Sequence, residues 1–329
     1  MRVPPVRRAD FVIKRTGYAL VTVLVAITLN FFLFRVVPGD AVSGLRCQSC
    51  TPQFKAAMRR QYGLDKPKAQ QYFIYLDRLA HGDLGTSVFD NEPVWNDIES
   101  PLVNTLPMII AGTLVSILIG IGAGIVSAWR RGTLVDKASL WTSLAFYAMP
   151  TQWLGLLVIF YVAAHVGLPL AGISDPTLTI LGPVSTWTFL QDRFDHLLLP
   201  ALTLGIGLYG EYALIVRSSM LETLGEDYVL TARAKGLSNW AIIRKHGLRN
   251  AMLPVVTLIA LSLGSIVAGA IVVEDVFSYP GIGLATVDAI NHRDWPVLQG
   301  IFLLLTVAVI ACNFAADLLY FKLDPRVTS

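Results

Sequence analysis

Six almost uncharged apolar runs, residues 16–34, 102–129, 138–164, 197–216, 253–273 and 297–316, decide what this chain can fold into. A helix rises 1.5 Å per residue, so about 20 such residues cross a hydrocarbon core about 30 Å thick. Backbone polar groups cannot stay unsatisfied there, which leaves the α-helix for segments of this length. With 54% hydrophobic residues and only 15% charged, the chain carries more apolar surface than a soluble core can hide. The expectation is an all-α polytopic membrane protein with six transmembrane helices.

The five basic residues in 1–15, followed by the run Thr16–Phe34, resemble a signal peptide. That run is longer than a usual signal core, however, and Arg35-Val36-Val37-Pro38-Gly39-Asp40 is a poor cleavage site, so it reads as an uncleaved first span. Orientation follows from Lys and Arg. With a cytosolic N terminus, segments 1–15, 130–137, 217–252 and 322–329 hold five, three, six and two, and the outside loops 166–196 and 274–296 hold one each; residues 35–101 hold eight, but that segment is longer than the loops to which the rule applies. Both termini are therefore expected in the cytosol. The net charge of +3 is spread as topology requires, and no basic, aromatic-rich platform suggests nucleic acid.

Three parts follow: a cytosolic N terminus and first helix (1–35), an extracytoplasmic subdomain (36–101), and a five-helix transmembrane domain (102–329). The outside segment is too long and too polar for a simple connection. Within it Thr51–Tyr62 and Lys68–Leu79 read as helices on either side of a Gly63–Pro67 turn. Cys47 and Cys50 in this segment are open to three readings: a local disulfide, two free thiols, or metal or redox chemistry needing ligands not nearby in sequence. Cys312 reads as a packing residue, and the five histidines are too dispersed to form a metal site.

Inside the membrane, Glu211 is the expensive residue and so faces a wet cavity or a partner. Glu274 and Asp275 close the fifth span, where two acids at a pore mouth would attract a cation or a free amino terminus, or would sit at the interface touching no substrate. Small residues at Gly112, Ser116, Gly120 and Gly124 permit close helix contact, within the chain or with another subunit. Pro150 breaks the third span, either as a moving part or as a tolerated kink.

Between the fourth and fifth spans lies a basic island, Asp227–Pro254, with Arg233, Lys235, Arg244, Lys245 and Arg249 against one acid, Asp227. Asp227 can cap a short helix that Gly236 ends by turning left-handed. Ser238 can cap a second, with Trp240, Ile243 and Gly247 on one face. The island is thus a folded cytosolic protrusion or a solvated loop that only sets topology.

No G-x-x-x-x-G-K-[ST] phosphate loop occurs, so any ATP-driven work needs another protein. Several motifs stand in order on the six-span frame: Val37-Pro38-Gly39-Asp40, Tyr62-Gly63-Leu64-Asp65, Gly82-Asp83-Leu84-Gly85-Thr86-Ser87 and Arg217-Ser218-Ser219-Met220. Thr231-Ala232-Arg233-Ala234-Lys235-Gly236, Leu248-Arg249-Asn250-Ala251-Met252-Leu253-Pro254, Tyr279-Pro280-Gly281-Ile282-Gly283 and Leu323-Asp324-Pro325-Arg326 complete the series. Together they resemble the inner-membrane permease subunits of binding-protein-dependent ABC importers, in the dipeptide, oligopeptide and nickel branch.

The resemblance implies a type I importer permease fold in a bacterial inner membrane, working with a second homologous permease, two cytosolic ATPase subunits, an extracytoplasmic binding protein and membrane lipid. The chain itself would be non-catalytic and hold no metal or cofactor, with ATP and Mg bound by the ATPases. Residues 227–252 would form coupling helices that dock on the ATPase, with Thr231, Ala232, Arg233, Ala234, Lys235, Gly236, Leu253 and Pro254 in the motif. Leu230 replaces the general motif's Glu, and Leu253-Pro254 falls farther from Gly236 than in its compact form. Short peptides are the expected cargo; nickel or glutathione-like solutes are alternatives, as are a stand-alone secondary transporter built on Glu211 and a membrane scaffold.

Overall fold

The computed structural model describes residues 8–35, 52–61, 63, 65–180, 184–261 and 263–323. Among them the regular elements are helices, with one isolated bridge between Thr86 and Pro93. In chain order they are α1 (Arg8–Arg35), α2 (Pro52–Gln61), α3 (Lys68–Ala80), α4 (Val94–Trp129), α5 (Leu134–Ala148), α6 (Thr151–Leu157), a π turn (Val158–Ala163), α7 (Ala164–Val166), α8 (Pro176–Ile180) and α9 (Thr186–Leu224). Then follow α10 (Asp227–Ala234), α11 (Asn239–Ile242), a second π turn (Ile243–Gly247), α12 (Leu248–Leu261), α13 (Leu263–Val276), α14 (Ile282–His292) and α15 (Trp295–Leu323).

Among the described residues four helices are long and apolar enough to cross a membrane, in α1, α4, α9 and α15, and the bent pair Leu134–Ala148 with Thr151–Val166 is apolar enough to be a fifth, broken span or a re-entrant loop. The run at 253–273 falls on α12 and α13, either side of residue 262, which lies outside the described residues. Cys47, Cys50 and the Val37–Asp40 motif also lie outside them, whereas Cys312 is an exposed free thiol.

The chain divides into two compact units, Met1–Leu102 with Ala285–Ser329, and Val103–Leu284. In the first, α1 and α15 run antiparallel. Arg15 pairs with Asp317 at 2.9 Å, Asn30 donates to the Gln299 carbonyl at 3.3 Å, and Phe34 packs on Trp295 and Phe302. Helix α3 sits on the C-terminal end of α1, where Phe31 is buried among Phe32, Tyr72 and Tyr75. The Gly82–Ser87 motif forms the loop behind it. Gly82 and Gly85 adopt φ of +76° and +101°, which favour glycine, and Gly85 N donates to Asp83 at 2.8 Å. The buried Asp294 carboxylate then gathers the Ser87 hydroxyl and, at 3.0 Å each, the Val88 and Phe89 amides.

The second unit is organised around α9, whose length of roughly 58 Å exceeds what the hydrocarbon core alone requires. Gly112, Gly120 and Gly124 of α4 face it. A Cβ on Gly112 would meet Leu204 at 2.9 Å, on Gly120 Tyr212 at 2.5 Å, and on Gly124 Val216 at 2.6 Å, so these positions serve packing within the chain. Gly210 of α9 in turn lets the Ser143 carbonyl of α5 come close. At Pro150 the third span does more than kink. Met149 takes the extended backbone that precedes proline, and the chain turns by 108° between α5 and the α6–α7 segment. One core cluster gathers Met108, Leu154, Leu199, Leu204, Ile266, Val273 and Phe277; a second gathers Ala128, Tyr212, Val216, Met220, Ile243, Val255 and Leu258.

Candidate functional site

Three polar constructions in the second unit use the residues singled out by sequence. The first is the island after α9. Gly225 and Glu226 end α9, and Glu226, with extended backbone, occupies the cap position of α10. Asp227, expected as the cap, is instead the first helical residue, where its charge still favours the helix N-terminus. Gly236 takes φ +77°, Gly236 N bonds to the Arg233 carbonyl at 2.9 Å and Leu237 N to the Ala232 carbonyl at 3.3 Å, closing the end of α10 in the expected left-handed manner. Ser238 caps α11 by accepting from Ala241 N at 3.3 Å.

These two helices share a small core of Val229, Ala232 and Ile242, with Leu224 and Leu237 packed against it. The protrusion is therefore folded and not a solvated loop. Outside that core Thr231, Arg233, Ala234, Lys235 and Gly236 are exposed, as are Tyr228, Leu230 (56%) and Trp240 (68%). Trp240 was expected to share a face with Ile243 and Gly247, but only those two are buried. The neighbours Ile242 and Ile243 are buried in two different cores, Ile242 with Val229 and Ala232 and Ile243 with Val216 and Met220, which leaves Trp240 outside both. Leu253 and Pro254 lie inside α12, with Pro254 exposed.

The second construction lies two turns before α9 ends. Arg217 grips Asp136 with both ends of its guanidinium fork, Nε to Oδ1 at 2.8 Å and Nη2 to Oδ2 at 3.0 Å. Ser127 donates to Oδ1 at 2.6 Å and the Gly132 amide to Oδ2 at 2.9 Å. Asp136, only 3% exposed, thus ties the end of α4, the turn after it and the start of α5 to α9. Sequence reading missed Asp136, although an acid in the first turn of a span was a signal for it. Glu211, expected in a wet cavity or against a partner, is half-buried, and Arg217 nearby is engaged by Asp136.

The third surrounds Glu274, which is fully buried. Its Oε1 accepts from the Thr105 hydroxyl and its Oε2 from Gly283 N, both at 2.6 Å, with Leu284 N at 3.3 Å. Thr105 accepts in turn from Ile282 N at 2.8 Å. The carboxylate therefore caps the N-terminus of α14 from another helix. The Tyr279-Pro280-Gly281-Ile282-Gly283 motif is what wraps it: a Cβ on Gly281 would fall onto the carboxylate, and one on Gly283 onto Ile271. The pore-mouth expectation for Glu274 is corrected accordingly, since both oxygens are used inside the unit, while Asp275 beside it is exposed.

The family model for the inner membrane component of binding-protein-dependent transport systems matches residues 120–329, and the model for the N-terminal part of such membrane components matches 8–109. The chain belongs to this family. As a member of it, the protein is a multi-pass permease of the ABC importer type. It is 37% identical over 333 residues to the dipeptide transport system permease protein DppB of Escherichia coli K12, covering 97% of this chain and 98% of that protein. To the di/tripeptide transport system permease protein DppB of Pseudomonas aeruginosa it is 39% identical over 330 residues, with the same coverage. The glutathione transport system permease protein GsiC of Salmonella choleraesuis is 34% identical over 319 residues, covering 97% of this chain and 98% of that one. A chain of the inward-facing MetNI methionine ABC transporter shares the fold with a TM-score of 0.52 at 20% identity, covering 69% of this chain and 96% of that one.

Proposed function

We propose that this chain is the permease subunit of an ATP-driven importer that moves short peptides into the cytosol. Relatives named for dipeptides and di/tripeptides match nearly end to end, which favours that cargo over nickel. The complex would contain a second homologous permease, two ATPase subunits carrying ATP and Mg, and an extracytoplasmic binding protein meeting the outside segment. With α12 and α13 as the fifth span, the permease has six spans and, by its Lys and Arg distribution, cytosolic termini.

One observation carries the coupling role: α10 and α11 are locked together by their own core yet leave Tyr228, Leu230 and Trp240 exposed. Exposed apolar side chains held rigid beside basic residues on a membrane protein's inner side suit a protein partner. ATP binding would draw the two ATPases together and move these helices, and through α9 and the Asp136–Arg217 clamp the spans would shift as rigid bodies between inward- and outward-open states. Glu211 and Asp275 are the path acids in this reading, and Glu274 is a positioning residue for α14. Reconstituted complexes should take up labelled dipeptide only with ATP and binding protein; uptake by the isolated permease on an ion gradient would overturn the proposal. The glutathione relative supplies a second cargo reading, which competition of glutathione against dipeptide uptake would decide.

A further inference from the structure

In the first unit a cavity of about 130 Å3 opens where α1 ends, between α3, the Asp83–Thr86 loop and the start of α15. Arg35, Arg60, Lys66 and Arg78 line it, against Asp83 as the acid among the described lining residues, with its carboxylate 3.8 Å from Arg78. Tyr75 and Gln299 also line it, with Tyr75 Oη and Gln299 Nε2 turned inward. Both polar atoms are sealed behind the cavity wall near one another, and Gln299 is only 5% exposed. Burial pushes the Tyr75 hydroxyl up to about 12, so it stays protonated and able to donate. Three guanidinium forks and an ammonium form a donor set for an oxyanion with several acceptor oxygens.

Position narrows the anion. Arg35 is the last residue of the apolar helix α1 and Gln299 lies in the first turns of α15, so the cavity sits at headgroup depth. Deeper along the same two helices runs an apolar groove lined by Ala26, Leu29, Leu33, Phe302 and Thr306. Gln299, Phe302 and Thr306 fall on one stripe of α15, which continues the polar cavity into the groove. We propose that this cavity binds the phosphate of an anionic phospholipid whose acyl chain lies in the α1–α15 groove. The lipid would pin the outside helix α3 to the membrane-spanning pair.

The test is native mass spectrometry of the full importer complex purified from nanodiscs of equal phosphatidylglycerol and phosphatidylcholine. Phosphatidylglycerol should be retained preferentially, and the exposed-residue variant Arg60→Gln/Lys66→Gln, which disturbs no packing, should lower that retention about tenfold, as loss of charge-assisted bonds worth about 1.4 kcal/mol would. Gln299→Leu should lower it as well. Equal retention of the two lipids, or unchanged retention in both variants, would overturn the proposal. Protection of the detergent-solubilised complex against heating by inorganic phosphate, but not by phosphatidylglycerol, would assign the cavity to a free oxyanion and overturn the lipid reading. An occupant identified as an acidic protein segment would overturn it too.

Discussion

Replacing Arg217 with Met should be the most damaging single change near the C-terminal end of α9. The guanidinium makes two bonds to Asp136, which is 3% exposed, and its own side chain is 21% exposed. Removing one partner of such a pair strands a buried carboxylate, at about 3–5 kcal/mol; partial exposure of the arginine places this one near about 3 kcal/mol. Asp136→Asn in the same background removes the stranded charge and keeps an acceptor for Ser127 or Gly132. The double variant should therefore recover about half of the loss. Reversible unfolding in mixed detergent micelles, run as a four-member cycle, gives the coupling directly. If the two losses add to within about 0.5 kcal/mol, the pair is not coupled and the clamp reasoning fails.

Gly236→Val forces a β-branched residue into a left-handed backbone, a strain of about 1–2 kcal/mol, and should separate ATP hydrolysis from uptake in proteoliposomes; coupling at the wild-type ratio would speak against α10 as the lever. Gly281→Ala should push the Glu274 carboxylate off Gly283 and Thr105 and lower stability by about 2–4 kcal/mol in thermal unfolding, whereas an unchanged midpoint would show that the wrap around Glu274 is loose. Glu211→Gln should leave assembly intact and reduce peptide uptake severalfold; full uptake would remove the need for a charge at that depth.

How much of this was legible beforehand follows the range of each interaction. Hydropathy and turn chemistry act within a few residues, so the apolar runs, the Ser238 cap and the left-handed Gly236 could be read directly. Pro150 marked a break, but proline restricts only its own and the preceding residue, and the 108° turn depends on what α5 and α6 pack against. Trp240 was misplaced because the adjacent Ile242 and Ile243 pack into two different cores, a tertiary effect that spacing does not signal. Asp136 and Glu274 owe their roles to partners 81 and 169 residues away, Arg217 and Thr105. A carboxylate at a span's end looks the same in sequence whether it faces a pore or caps a distant helix.

Docking of an ATPase on α10 and α11 is tested most directly at Leu230 and Trp240, whose side chains are exposed and contribute nothing to the core of Val229, Ala232 and Ile242. Affinity purification of the permease carrying Leu230→Asp and Trp240→Asp, from membranes containing the whole importer, should recover the second permease but little or no ATPase. Recovery of both ATPase subunits at wild-type ratio, with coupled uptake intact, would contradict the docking of the ATPase on this face.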